Sequence, residues 1–85
     1  MTFKIEYSIE TEIIDEEEIE VLSIEAYTDY PNEPIKITLE DASSFGTQTD
    51  NQGIGRCNTS EIKDYHVIVE IHDETFEEDI VILKD

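Results

Sequence analysis

Positive charge is almost missing from this chain. Five Lys and Arg stand against 23 Asp and Glu, a formal net charge of −18. Proteins grip nucleic acids and anionic membrane surfaces with Lys and Arg. Both are therefore excluded as direct partners, and a basic protein surface is the natural complement. Cysteine is nearly absent too: a single residue, Cys57, closes no internal disulfide and fits a reducing compartment. The longest apolar run, Ile80–Leu83, is far too short to span a membrane. The opening MTFKIEYSIE has no apolar signal-peptide core, so the expected location is the cytoplasm. There is no P-loop, no nucleophile elbow and no glycine-rich phosphate cradle, and the expectation is a protein that is not an enzyme.

What is present is a pattern of short β-type runs. The chain has 85 residues, 38% of them apolar, enough for one small domain over 1–85. Phe3, Ile5, Tyr7 and Ile9 alternate with Lys4, Glu6, Ser8 and Glu10, the period of a half-buried strand. IKITLE (35–40) alternates in the same way, and YHVIVEIH (65–72) and DIVILKD (79–85), joined by an acidic turn at DETFEE (73–78), read as two further strands. Residues 15–27 are ambiguous. Asp15 and Glu18 suit a helix N-terminus, but Val21 and Ile24 fall opposite the Ile19, Leu22 and Ala26 stripe. A strand with a bulge near Val21 and Leu22 fits better, with DEEE (15–18) as a hairpin turn. Residues 41–61 contain all three glycines and no periodicity, and read as one long loop. The expected fold is all-β, a five-stranded, mostly antiparallel sandwich or partly open barrel. The alternative is α+β with one helix at 16–28.

Several constellations invite a chemical reading and fail on spacing. His66, Glu70 and His72 share a strand face, but too loosely for a zinc site. An EF-hand-like frame from Asp50 to Glu61 has Gln52 and Ile54 where carboxylates are needed. Cys57 follows Arg56, which would lower a thiol pKa, yet nothing local supports a Cys–His dyad. No cofactor and no metal are expected. Arg56, the sole arginine, is expected to fold back onto a carboxylate or else to meet a partner.

The acids themselves are the remaining signal. A small domain is kept soluble by a net charge of about 2–8, and more charge opposes compaction. The excess is densest in ETEIIDEEEIE, where seven of eleven residues from Glu10 to Glu20 are acidic. Same-face strand residues lie about 6.6–6.8 Å apart, near the spacing of phosphates along a nucleic-acid strand. The expected partner-binding residues are Glu10, Glu12, Asp15, Glu16, Glu17, Glu18 and Glu20. A second patch is Asp73, Glu74, Glu77, Glu78 and Asp79. The isoleucines between the first set are expected to hold the strands in the core. By size and composition the chain resembles phage-encoded inhibitors that mimic DNA, a class that shares charge and strategy rather than motifs, so no residue role carries over. The expected function is antagonism of a basic nucleic-acid-binding protein, such as a restriction, CRISPR, repair or nucleoid protein. The alternative is a structural or assembly accessory protein.

Overall fold

The computed structural model describes residues 3–40 and 43–82. Seven strands follow in order: β1 (Lys4–Ile14), β2 (Glu17–Tyr27), β3 (Pro34–Leu39), β4 (Ser44–Gln48), β5 (Ile54–Thr59), β6 (Tyr65–Ile71) and β7 (Glu74–Ile80). One sheet has the order β1-β2-β5 and the other β4-β3-β6-β7. All neighbours are antiparallel. The chain crosses between sheets after β2, β4 and β5, so the architecture is a sandwich and not a barrel.

Inward-facing rows make the core. Leu22, Ile24 and Ala26 of β2 meet Ile35, Ile37 and Leu39 of β3 and Val67, Val69 and Ile71 of β6, each at most 3% exposed. Burying one such Leu, Ile or Val side chain contributes about 1.5–3 kcal/mol before cavity terms. The connectivity resembles immunoglobulin-like sandwiches, and Tyr65 strengthens the likeness. It stands at the start of β6, and its hydroxyl donates to the Glu61 carbonyl at 2.7 Å, the tyrosine-corner arrangement. Such an architecture serves many unrelated functions and assigns none.

Four expectations need correction. The last strand is Glu74–Ile80, not 79–85: DETFEE, expected as a turn, is mostly strand, the turn is His72-Asp73, and the described strands number seven rather than five. Phe76 and Ile80 are its apolar anchors, and the acids between them masked the alternation. Residues 17–27 form a strand, which removes the helix at 16–28. The β1–β2 register runs unbroken from Lys4↔Tyr27 to Ile14↔Glu17, with no bulge at Val21 and Leu22. The span 41–61 is not one loop, because it carries β4 and β5. Those strands were hidden for a physical reason. β5 turns Gly55 and Cys57 inward, where the sheets approach too closely for large side chains. A Cβ on Gly55 would lie 2.9 Å from Ile35 Cγ2. Apolar alternation, the signal that marks the other strands, is absent where glycine and cysteine fill the inner positions.

Candidate acidic interface

The outer half of the β1–β2 hairpin stands clear of the sandwich. β5 pairs with β2 only from Tyr27 to Leu22, where Leu22 meets Thr59. From Glu10 and Val21 outward, the ribbon has two strands and, among the described residues, no third. A two-residue turn, Asp15-Glu16, closes it with both residues at positive φ, 52° and 67°. This is the hairpin geometry that matches strand twist and normally selects Asn-Gly or Asp-Gly. Asp tolerates it, whereas Glu16 carries a steric penalty of order 1–2 kcal/mol.

The register distributes the acids over both faces. Glu10 and Glu12 sit with Val21, Ile19, Ile14 and Glu17 on one side; Glu18 and Glu20 sit with Ile13 and Thr11 on the other. They do not line a single face, as sequence spacing alone suggested. The isoleucines differ from expectation as well. Ile13 is 73% exposed and Ile14 48%, because among the described residues no sheet lies opposite the ribbon to cover them, and Ile9, at the ribbon's base on the edge strand, is 44% exposed. Their β-branched side chains favour the extended backbone instead of filling the core. Glu10, Glu12, Asp15, Glu16, Glu17, Glu18 and Glu20 are all exposed. Among the described residues, none of their side chains forms a hydrogen bond or an ion pair, and no basic residue lies on the ribbon.

The second acidic set is built differently. Glu78 Oε2 accepts the Ile5 N–H at 3.2 Å and ties β7 to β1 across the sandwich. The Tyr30 hydroxyl donates to the Glu74 carboxylate. Glu77 and Asp79 each lie 2.6 Å from one ring nitrogen of His66. The Asp79 contact, then the Glu77 contact, raises the His66 pKa from its usual 6.5 to about 9. Both ring nitrogens therefore donate at neutral pH. Of this set only Asp73, in the β6–β7 turn, has no such role among the contacts described. Glu74, Glu77, Glu78 and Asp79 thus serve the fold, whereas the ribbon acids are uncommitted among the described residues.

The other constellations resolve as structure. Arg56 Nε donates to Glu25 at 3.0 Å and Nη1 to Asp50 at 2.9 Å, the internal tie. Its guanidinium, joined by the Ile54 and Gln52 N–H groups, holds the Asp50 carboxyl below its usual range. Asp50 is thereby used as a turn brace at the head of β5, where a calcium frame had been counted. Cys57 is buried, and desolvation pushes its thiol up to about 11, which makes it a poor nucleophile. His72 occupies the first turn position after β6, with φ 55°, and its ring packs 4.1 Å from that of Tyr30. It is separated from His66, and no group of three or more His, Cys, Asp or Glu among the described residues could hold a metal ion. A cleft of about 510 Å³ opens over the β3, β4 and β6 ends, lined by Pro34, Lys36, Gly46, Glu70 and His72 among others. No helix among the described residues is long and apolar enough to cross a membrane.

No family model, no curated protein and no solved structure matches this chain.

Proposed function

We propose that the chain is an acidic antagonist that inserts its β1–β2 ribbon into a basic groove of a nucleic-acid-binding protein and competes there with DNA or RNA. One observation carries the reading. Residues 10–20 form a two-stranded ribbon with seven acids and no base, and among the described residues none of those acids is used internally. Charge on both faces and at the tip suits a site that surrounds its ligand with Lys and Arg. The field of a −18 molecule steers such encounters and raises their on-rate. Glu16 supports the reading further. A glycine there would relieve backbone strain, yet the position carries an acid. The exposed Ile13 and Ile14 add apolar contact area along the same ribbon, and Ile9 adds more at its base.

The test is capture on immobilised protein from lysate of the source cells, followed by elution with duplex DNA or with rising NaCl. The expected outcome is a nucleic-acid-binding protein that DNA releases. It should be lost when Glu16, Glu17, Glu18 and Glu20 are changed together to Gln. Capture that ignores both DNA and the fourfold change would overturn the proposal.

A further inference from the structure

The two lateral edges of the sandwich differ completely in charge. β1 and β7 lie along one side and carry seven acids between them: Glu6, Glu10, Glu12, Glu74, Glu77, Glu78 and Asp79. β4 and β5 lie side by side along the other, and neither contains an acid. The run from Ser43 to Thr49, SSFGTQT, has no charge of either sign. In a chain where acids are spread so densely, this edge has been spared.

β4 is also open to pairing. Among the described residues it is hydrogen-bonded to β3 alone. Ser43 and Leu39 exchange backbone bonds at 3.2 and 2.7 Å, and Thr49 N–H donates to the Glu33 carbonyl at 2.9 Å. With the register Pro34↔Gln48 to Thr38↔Ser44, residues 43, 45, 47 and 49 turn their backbone groups toward β3. Ser44, Gly46 and Gln48 turn theirs outward. Edge strands are ordinarily guarded by charge, proline or a bulge, and β4 has none of these.

We infer that β4 is a self-association edge, pairing antiparallel with β4 of a second copy about a two-fold axis at Gly46. The outward groups are symmetric about that residue. Gly46 then faces its own mate, and Ser44 faces Gln48 of the other copy, so every outward N–H and C=O along the seam finds a partner. On the inner side Phe45 comes opposite Thr47, a favourable cross-strand pair. Charge selects the occupant. Two copies at −18 repel most strongly where acids meet acids, and this edge is where they approach with no acid directly opposite another, leaving only the longer-range repulsion. A basic partner would be drawn to the acidic ribbon instead. The pairing keeps both ribbons outside the seam.

Salt gives the inference a signature of its own. Screening weakens the long-range repulsion between copies, so self-association strengthens with NaCl. Binding of the ribbon to a basic groove weakens with NaCl. Failure of one therefore does not imply failure of the other. Sedimentation equilibrium on the full chain, from about 10 μM to about 1 mM protein and from about 50 to about 500 mM NaCl, reads the first directly. The expected result is a dimer whose population rises with both variables. Amide exchange at Ser44, Gly46 and Gln48 should slow as it forms. Gly46→Glu places like charges directly opposite at the two-fold and should weaken dimerisation about tenfold or more. A Cβ at Gly46 meets nothing within 4 Å, so the monomer fold tolerates the change, and melting verifies it. Gly46→Ala should still dimerise. A monomer at every condition, a dimer that salt dissociates, or a dimer indifferent to Gly46→Glu would each overturn the inference.

Discussion

Single residues separate acids that build the fold from acids that remain available. His66 belongs to the first group. Its folded pKa of about 9 lies above the unfolded value near 6.5, so its stabilising contribution is complete below pH 6.5. That contribution declines as pH rises and is gone above about 9. NMR titration of the His66 ring protons should place the midpoint near 9, and Asp79→Asn should lower it. A midpoint at 6.5 in the parent protein would mean that the two carboxylates do not hold the ring. Glu16 belongs to the second group. Replacing it with Gly removes the left-handed penalty but adds chain entropy to the unfolded state. The net expectation is a gain of up to about 1 kcal/mol, or a melting temperature higher by several degrees. An unchanged or lower melting temperature would contradict a positive φ at the ribbon tip. Neither role was legible in the sequence. DEEE read as a turn, but its register and the partners of His66 depend on pairings that residue spacing does not reveal.

Elements show why some of the fold was legible and some was not. β1, β3 and β6 alternate apolar and polar residues, and their existence could be read directly. β4 is short and polar, with only Phe45 partly buried against the core, and β5 turns small residues inward. Both disappear into the Gly-, Ser- and Thr-rich background of residues 41–61. The β1–β2 ribbon was read correctly as acidic but wrongly as half-buried. Sequence alternation predicts that one strand face is covered, and it does not specify where the covering sheet ends. Tyr65 offers a test at this scale. Its hydroxyl anchors the segment between β5 and β6 to the Glu61 carbonyl. Tyr65→Phe keeps the buried ring and deletes one hydrogen bond, so it should lower unfolding free energy by about 1 kcal/mol in denaturant titration. A loss near zero would remove the corner as a stabilising feature.

At the scale of the whole molecule, charge is arranged in three zones. β7 carries acids tied into hydrogen bonds, the opposite edge of β4 and β5 carries none, and the ribbon carries acids that among the described residues have no internal use. Net charge alone pointed to a basic partner. Among the described residues the ribbon is where exposure, projection and a cluster of uncommitted carboxylates coincide. The apolar residues there were expected in the core, and their exposure makes the ribbon a mixed surface of carboxylates and isoleucines. On the proposed reading this ribbon, rather than the overall charge, makes the contact. That reading is tested most directly by affinity for the captured partner, comparing two fourfold variants of equal charge. One changes Glu16, Glu17, Glu18 and Glu20 to Gln. The other changes Glu40, Glu61 and Glu70 to Gln and Asp73 to Asn, all exposed and off the ribbon. The account predicts that the ribbon variant loses at least tenfold more affinity, about 1.4 kcal/mol, with a shallower dependence on salt. Equal losses in the two variants would contradict it and leave net charge as the only determinant.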